Sequence, residues 1–427
     1  MGLRFLLLIS TLFAVESGRP AWALDDSSQE EALCGPRPSE TAPATAQDPA
    51  EVLHRIEKDM PPIHHQSTAN WCYAFASCDL LNYQLHQNAL KTDPAARYTT
   101  ENQVAVIDAV ATEKLWLDHN ASPAPRHPGR INLNETGQDL NVLTALQLAG
   151  SVRSQQQIPF FAAEETEKLD RMLEADNAAP GDSVLSGTCV RPNPLYGSVV
   201  RNFGELSEIL ATAAKEEGRL KSGSMIIDEY TQLSLATEKP DITLPPFTPH
   251  FLQVTSPLHY LKQLRNNLQA KLPSIVGVCK NPLFPDSGST LPGCGAHALT
   301  LVGAAYISGR CSVRLRNSEG SGWEEGGYVT MPLARFMASA KLDSTYNIDW
   351  IEPASPGDPK EAVLIQSDPR TGGIVNYRGT LRGTRGQVKW ENGIATYPGG
   401  KSSRFIGGKW SANLPGAASI TSPARKK

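Results

Sequence analysis

The chain has 427 residues, of which 40% are hydrophobic and 20% are charged, and its formal net charge is −4 at pH 7. This length allows one large domain or two modest domains with a real core, and the composition is ordinary for a soluble protein. Because the net charge is slightly negative, nothing global favours binding to nucleic acid or to an acidic membrane surface.

The N-terminus has the pattern of an export signal. Arg4 precedes an apolar run over residues 5–15, and Ala21-Trp22-Ala23 has the small residues of a cleavage site. We predict a signal peptide over 1–23, cleaved after Ala23, and therefore a periplasmic or extracellular protein. The apolar run is too short to span a bilayer, and no transmembrane segment is predicted elsewhere. An uncleaved anchor is the less favoured alternative.

The following stretch, 24–50, is acidic at first and then rich in alanine, proline and threonine. It holds few bulky apolar residues, so it cannot bury enough surface to fold by itself. The composition predicts a flexible leader.

A cysteine then occurs where a helix is predicted to begin. The segment 66–76 reads Q-S-T-A-N-W-C-Y-A-F-A, with Asn70 as the predicted N-cap, Ser67 and Thr68 as alternatives, and Cys72 in the first turn. A helix N-terminus lowers the pKa of a thiol through its unpaired N–H groups and its dipole. The alternative is a small apolar cysteine within a helical core, which is the commoner role of a lone cysteine.

Later elements follow from hydrophobic periodicity and from breaking residues. We predict helices at 138–149, ended by Gly150, and at 257–272, beginning at Pro257, followed by a strand at 274–279. Further helices are predicted at 164–176 and 204–217.

Two polar residues end this series. His297 opens an apolar strand, and Asn317 closes a short alternating strand before a glycine-rich turn. A cysteine, a histidine and an asparagine in this order are what a thiolate–imidazolium pair with an orienting amide requires.

With these residues in place, the chain resembles the papain-like cysteine peptidases over much of 60–335. The matching segments are Gln66 with its spacing to the nucleophile, Cys72-Tyr73-Ala74-Phe75, His297 to Gly303, and Asn317-Ser318 followed by Gly322-Trp323 and Gly327-Tyr328. Weaker matches are Thr100 to Gln103 and Gly137 to Gly150. Two positions depart from the family pattern: Ala69 replaces a cysteine, and Glu319 replaces the tryptophan that usually shields the asparagine–histidine hydrogen bond.

The resemblance implies an α+β, papain-like two-lobed fold. A helical lobe would carry the cysteine, a β-barrel-like lobe would carry the histidine and the asparagine, and the site would be the cleft between them. On this basis the catalytic domain is expected at 51–352, with 151–250 as an insertion of unknown role.

The resemblance also implies a secreted cysteine endopeptidase that hydrolyses peptide bonds through an acyl-enzyme thioester. Cys72 would be the nucleophile, His297 the base, Asn317 its orienting partner and Gln66 an oxyanion-hole donor. No cofactor is predicted. No metal site is predicted either, because the adjacent histidines 64 and 65 lack a ligand pattern around them.

Two other functions stay open. The same thiol chemistry serves acyl transferases, deamidases and transglutaminase-like effectors, although such proteins more often pair cysteine and histidine with an aspartate. A binding protein on a disabled peptidase scaffold is the third reading, and its motivation is Glu319 together with a basic C-terminus.

Seven cysteines suit an oxidising compartment. With Cys72 as the nucleophile, six remain, and the sequence cannot choose among their 15 pairings. They are Cys34, Cys78, Cys189, Cys279, Cys294 and Cys311. A bridge among the last three would brace the histidine strand, whereas a bridge between Cys72 and Cys78 is disfavoured because they point to different sides of one helix.

The last part of the chain, 353–427, changes character. It holds 12 lysines and arginines against 4 acidic residues, in short β-prone runs separated by glycines. We predict a basic β-rich module of two or three hairpins, with a tight turn at Asn392-Gly393. The module either docks on an anionic envelope polymer or acidic partner, or packs as an appendage on the acidic catalytic domain; the second is favoured.

Overall fold

A computed structural model describes part of the chain. The described residues are 26–37, 48–66, 71–119, 137–158, 160, 235, 238–280, 295–342, 344–368, 371, 373–384, 387–406 and 409–410. The predicted signal peptide, the predicted helices at 164–176 and 204–217, Asn70, Cys189, Cys294 and most of the predicted insertion lie outside these residues.

The helices of the described residues fall on both sides of a large sheet. They are α1 (Asp26–Cys34), α2 (Pro49–Leu53), α3 (Cys72–Thr92), α4 (Val106–His119), α5 (Asp139–Ala149), α6 (Pro257–Gln269) and α7 (Leu333–Ser339). The predicted end of α5 is confirmed, because Gly150 has a φ of 71° and its N–H donates to the Leu146 carbonyl at 2.9 Å. The predicted start of α6 is confirmed as well, since Ser256 caps it and Pro257 is its first residue.

The strands form a small antiparallel pair and one long mixed sheet. In chain order they are β1 (Ser151–Val152), β2 (Ile242–Thr243), β3 (Phe247–Val254), β4 (Ser274–Cys279), β5 (Ala296–Ile307), β6 (Arg310–Arg316), β7 (Tyr328–Pro332), β8 (Lys341–Leu342), β9 (Thr345–Pro353), β10 (Ala362–Ser367), β11 (Ile374–Thr384), β12 (Gln387–Thr396), β13 (Ser402–Ile406) and β14 (Lys409–Trp410). The sheet order is β14-β13-β12-β11-β10-β3-β9-β4-β5-β6-β7, with β8 on β9. The fold is therefore α+β.

Two apolar cores hold these elements together. One gathers α3, α4 and α5 and includes Phe75, Leu81 and Leu143. The other lies between the sheet and α1, α6 and α7 and includes Tyr260 and Trp350. The first core also includes strand residues such as Phe251 and Ile351, so it joins α3, α4 and α5 to the sheet.

Helix α3 is more central than its periodicity predicts. Residues Tyr73 to Gln84 are all buried, not only one apolar stripe. The reason is that α3 contacts α4 and α5 of its own half and also β5 of the β-rich half. Small residues such as Ala74 and Ala76 allow these elements to approach the helix from several sides.

The predicted leader contains an ordered helix. Helix α1 is linked to β6 by a disulfide between Cys34 and Cys311, and Leu33 is buried in the β-rich core. Arg265 of α6 donates to the Glu31 carbonyl at 3.4 Å. The helix forms here because the tertiary structure supplies the apolar surface and the cross-link that the segment itself lacks.

The cysteine predictions need correction. Cys311 pairs with Cys34 and not with another cysteine near the histidine strand, and Cys78 is free and buried in α3. Cys279, at the end of β4, is disulfide-bonded. The separation of 277 residues between Cys34 and Cys311 explains why spacing along the chain could not reveal this bridge.

The C-terminal strands continue the main sheet. Strand β10 pairs in parallel with β3, with Val363 opposite His250, and β11 to β13 follow as antiparallel neighbours. The turn predicted at Asn392-Gly393 is wrong, because both residues lie within β12. Their backbone passes close to Gly379, where an added Cβ would lie 2.1 Å from the Asn392 carbonyl oxygen.

A glycine of the histidine strand allows another close approach. A Cβ at Gly303 of β5 would lie 1.9 Å from the carbonyl oxygen of Leu53 in α2. Glycine at this position therefore lets the segment before α3 pack directly on the strand that carries His297.

No helix in the described ranges combines the length and the apolar character needed to cross a bilayer.

Candidate active site

Cys72 is the first residue of α3 and is half-buried. The N-cap is Trp71 and not the predicted Asn70, and its side chain makes no capping hydrogen bond. The Trp71 carbonyl accepts the N–H groups of Ala74 at 2.8 Å and Phe75 at 3.0 Å. Burial raises the pKa of the Cys72 thiol, and the nearby Asp139 carboxyl acts in the same direction. Backbone hydrogen bonds from Ala298 and Tyr73 to the sulfur lower this pKa in opposition.

The hydrogen bond from the Ala298 backbone to the Cys72 sulfur connects the start of α3 with the strand that carries His297. Ala298 follows His297 in β5, so the backbone group that approaches the Cys72 sulfur is adjacent to the histidine. His297 is buried with 6% of its surface exposed, and Val278 of β4 lies opposite it in the sheet. The structure thus brings Cys72 and the His297 segment together from positions 225 residues apart in the numbering of the chain.

The imidazole of His297 is oriented by an amide. The distance between His297 Nε2 and Asn317 Oδ1 is 2.9 Å. The N–H of Ser318 donates to the same Asn317 atom at 2.8 Å, which identifies that atom as the oxygen because a backbone N–H must donate. His297 Nε2 therefore carries the proton, and Nδ1 is the basic nitrogen of the neutral ring.

The charge state of His297 depends on opposing effects. Burial lowers the pKa of the imidazole, and the hydrogen bond to Asn317 raises it. The ammonium group of Lys280 lowers this pKa, whereas the carboxylate of Glu319 raises it. Burial therefore favours the neutral form of both the thiol and the imidazole.

Gln66 is held against the asparagine segment. Its N–H donates to the Ser318 carbonyl at 2.7 Å, and the Ser318 hydroxyl donates to Gln66 Oε1 at 2.5 Å. With its oxygen engaged, the amide directs Nε2 away from Ser318 as a hydrogen-bond donor. Gln66 and Asn317 thus lie on two adjoining segments, and Ser318 is the residue through which these segments contact each other.

A buried ion pair that the sequence analysis did not identify connects the two halves beneath these residues. Asp79 lies further along α3 than Cys72, and its carboxylate accepts two hydrogen bonds from Arg316, at 2.7 Å and 2.9 Å. Arg316 also donates to the carbonyls of Pro61 and Pro62 and to the hydroxyl of Tyr328. Little in the sequence indicates this pair, because β6 holds three arginines and nothing in the alternating pattern distinguishes Arg316, which directly precedes Asn317.

Two carboxyl groups near the thiol were also missed. Asp139, the first residue of α5, and Asp349 of β9 interact with each other, and burial together with their proximity raises the pKa of both. Each residue retains some solvent exposure. A neutral Asp139 opposes a thiolate at Cys72 less than an ionised one would.

The adjacent histidines do not act as a pair. His64 Nε2 lies 2.7 Å from Gln155 Nε2, and burial lowers the pKa of His64, whereas His65 forms a backbone bridge with Glu319. In the part of the chain that the structure describes, no group of three or more histidines, cysteines or acidic residues is arranged to hold a metal ion.

Comparisons with known proteins give a likeness of structure alone. No family model and no curated protein matches the sequence. The chain is similar to a recombinant stem bromelain precursor (15% identity, 76% of this chain and 79% of that one, TM-score 0.35). It is also similar to the digestive procathepsin L 3 of Tenebrio molitor larval midgut (14%, 77% and 76%, TM-score 0.36). A third structure is the bromelain protease from Ananas comosus (14%, 71% and 97%, TM-score 0.34). At such identities and TM-scores this likeness assigns no function to the chain.

Proposed function

We propose that the protein is an exported cysteine endopeptidase with Cys72 as its nucleophile and His297 as its general base. The observation that carries this proposal is the hydrogen bond between His297 Nε2 and Asn317 Oδ1, next to the Ala298 N–H that approaches the Cys72 sulfur. This bond leaves the basic Nδ1 of His297 on the side of the ring opposite to Asn317. A thiol, a base and an orienting amide are the parts that nucleophilic acyl transfer requires.

The reaction begins with proton transfer from the Cys72 sulfur to His297 Nδ1. Burial opposes charge on both groups, so the mutual attraction of thiolate and imidazolium must offset this cost, with help from the N-terminus of α3. The thiolate then attacks the carbonyl carbon of the scissile peptide bond, and the carbonyl oxygen becomes an oxyanion. When the C–N bond breaks, the imidazolium gives its proton to the leaving amine, and a thioester remains on Cys72.

Hydrolysis of the thioester restores the enzyme. His297 takes a proton from water, the hydroxide oxygen attacks the thioester carbonyl, and the C–S bond breaks to release the carboxylic acid. Asn317 keeps the ring in the same tautomer through both half-reactions, since its oxygen can accept only from a protonated Nε2.

Gln66 has the proposed role of stabilising the oxyanion. Ser318 holds the amide by its oxygen, so the Nε2 donor is fixed before substrate binds. The backbone N–H of Cys72 at the start of α3 would supply the second donor. Preorganised donors of this kind stabilise the transition state because they need no reorientation as charge develops.

The test uses Cys72 as the reactive group and Cys78, the other free cysteine among the described residues, as an internal control. The protein without residues 1–23 is treated with a thiol-reactive epoxide at pH 5 to 8, the labelled cysteine is mapped by mass, and casein cleavage is followed in parallel. We expect labelling of Cys72 with a matching loss of cleavage, and no labelling of Cys78, which is buried in α3. Cys72→Ala should abolish both signals.

Other outcomes would favour the alternative functions. Labelling of Cys72 without cleavage of any peptide, but with transfer of an acyl group to an added amine, would indicate an acyl transferase. Absence of selective labelling, with casein cleavage retained in Cys72→Ala, would refute the peptidase mechanism. A Cys72 that reacts no faster than a free thiol would leave the scaffold as a binding protein.

The C-terminal strands and the disulfide bear on the rest of the proposal. For 353–427 we infer a structural appendage, since β10 pairs with β3 and Lys360 donates to the Leu148 carbonyl of α5 at 2.8 Å. We infer export because the Cys34–Cys311 disulfide suits an oxidising compartment. Fractionation of expressing cells, with N-terminal sequencing of the product, tests both export and cleavage after Ala23.

A further inference from the structure

An ion pair lies beside the His297–Asn317 hydrogen bond. Lys280 Nζ is 2.9 Å from Glu319 Oε1, and the two side chains are 36% and 24% exposed. Neither residue belongs to the nucleophile, base, amide or oxyanion donor described above. Both act electrostatically on His297, and Lys280 acts on Cys72 as well.

The sheet register places Lys280 next to the histidine. Val278 of β4 lies opposite His297 of β5, and the N–H of Lys280 donates to the Gly295 carbonyl at 2.8 Å, which continues the pairing beyond β4. Lys280 directly follows the end of β4, beside the start of the strand that carries His297, and its ammonium group is close enough to act on the imidazole.

Backbone contacts with His64 and His65 fix the position of Glu319, the other member of the ion pair. Glu319 follows Asn317 by two residues and forms an antiparallel bridge with His65, and the N–H of Gly320 donates to the His64 carbonyl at 3.1 Å. Gly320 has a φ of +90°, and a Cβ there would lie 2.5 Å from a carbon of the His65 ring. The segment after Asn317 is thus clamped on the Gln66 side, and the carboxylate of Glu319 extends from it to Lys280.

We propose that the Lys280–Glu319 ion pair is a positioning device that covers the His297–Asn317 hydrogen bond and balances charge around the cysteine–histidine pair. It would do so where papain-like peptidases carry a tryptophan, a residue that Glu319 replaces in this chain. The inference rests on the proposed function, since it concerns how that same site is held and tuned. A charged cover, unlike an aromatic ring, links the reactivity of the site to pH and to salt.

The two charges have effects of opposite sign. The ammonium group of Lys280 lowers the pKa of both Cys72 and His297, and the carboxylate of Glu319 raises the pKa of His297. Asn317 and Asp139 are the other side chains that act on these two residues, through a hydrogen bond to His297 and through charge on Cys72, and the backbone N–H groups of Ala298 and Tyr73 also act on Cys72. Asn317 and Asp139 are unchanged in every variant described below, so their effects on the pKa values of His297 and Cys72 are common to all of the measured pH profiles.

The experiment measures two pH profiles for wild type, Lys280→Gln and Glu319→Gln. The rate of Cys72 alkylation by a neutral haloacetamide, mapped by mass, reports thiolate formation. The pH profile of kcat/KM on a peptide substrate has two limbs: the acid limb reports ionisation of Cys72, and the alkaline limb reports deprotonation of His297. In Lys280→Gln both limbs should move to higher pH, because a positive charge is lost. In Glu319→Gln the alkaline limb should move to lower pH, each by about half to one pH unit at low salt.

Controls separate charge from structure. Arg378→Gln removes one partner of a more exposed pair, and Arg378 is not among the charges that act on Cys72 or His297, so its profiles should match wild type. If the single variants also lose kcat, the charge-reversed double variant Lys280→Glu with Glu319→Lys should recover part of that loss, since the ion pair is restored. Thermal unfolding midpoints should stay within about 3 °C of wild type, as partly exposed pairs contribute little to stability.

The outcomes distinguish this inference from the proposed function. If wild-type Cys72 shows neither selective alkylation nor a pH-dependent kcat/KM, the proposed function fails. If wild type shows both and the limbs do not move in either charge-removing variant, the ion pair has no part in tuning the site and this inference is overturned. Shifts of the same sign in both variants would also contradict it.

Discussion

The two sides of the proposed active site are positioned by different means. Cys72 owes its place to a local feature, the start of α3, which follows from a few neighbouring residues. His297 and Asn317 owe theirs to the register of β4, β5 and β6, and to a turn in which the Asn317 N–H donates to the Gly327 carbonyl at 3.0 Å. A nucleophile can be placed by one helix, whereas a base with an orienting partner needs several strands in register.

Burial acts on both sides in the same sense, but different groups oppose it. Burial favours the thiol at Cys72 and the neutral imidazole at His297. At Cys72 the opposing groups are the backbone N–H donors of Ala298 and Tyr73, which side-chain mutation cannot remove, and the more distant ammonium group of Lys280. On the β-rich side they are the side chains of Asn317 and Glu319, so mutation should affect the base more easily than the nucleophile.

The largest expected effect comes from separating the two halves. Arg316→Leu leaves the Asp79 carboxylate without its buried partner, and removal of one member of a buried pair typically costs about 3–5 kcal/mol of folding free energy. Urea unfolding of wild type and variant measures this loss. We also expect activity to fall in the folded fraction, because Arg316 directly precedes Asn317.

Arg378→Leu is the matched control, since Arg378 is 63% exposed in its ion pair with Glu361. An exposed pair of this type contributes about 0–1 kcal/mol. Equal losses of stability in the two variants would show that the Asp79–Arg316 contact has no special part in joining the halves.

The next effect concerns the segment that Ser318 holds in place. Gln66→Ala removes the proposed oxyanion donor and should lower kcat by about 100- to 1,000-fold, equivalent to about 2.7–4 kcal/mol in the barrier. KM should change little, because the donor acts mainly when the oxyanion forms. Steady-state kinetics on a peptide substrate separates the two parameters.

Ser318→Ala provides the graded comparison. It leaves Gln66 present but removes the hydroxyl that donates to its oxygen, a hydrogen bond worth about 1 kcal/mol. We expect a fall in kcat of about tenfold or less. A loss as large as that of Gln66→Ala would mean that Ser318 has a role beyond orienting the glutamine.

The smallest effect on the active site is expected from a change on the β-rich side alone. Replacement of both Cys34 and Cys311 by alanine should lower stability by about 2–4 kcal/mol, since the disulfide restricts the unfolded chain and fixes α1. The kinetics of Cys72 alkylation should be unchanged, because α1 packs in the core that contains Tyr260 and Trp350, whereas Cys72 packs against the other core. Denaturant unfolding and alkylation rates measure the two effects on the same samples.

A reducing agent gives the internal check on this last expectation. Dithiothreitol should lower the unfolding midpoint of wild type by more than that of the double variant, in which only other disulfides remain to be reduced. If wild type and double variant unfold alike without reductant, α1 is held by packing of Leu33 and not by the cross-link.

The sequence by itself determined the elements whose signals are local. The helix at Cys72, the αL cap at Gly150, the proline start of α6 and the strand at 274–279 follow from capping, periodicity and breaking residues within a few positions. The order and spacing of Gln66, Cys72, His297 and Asn317 indicated a thiol site, although the roles of these residues stay predictions.

Only the tertiary structure decided what depends on distant contacts. The Asp79–Arg316 pair, the Cys34–Cys311 disulfide and the Lys280–Glu319 pair each join residues far apart in sequence, where no local pattern favours one partner over another. The same reason explains the errors. Asn392-Gly393 has the composition of a turn, but in β12 it faces Gly379 of β11, and helix α1 forms because the β-rich core supplies a surface for it.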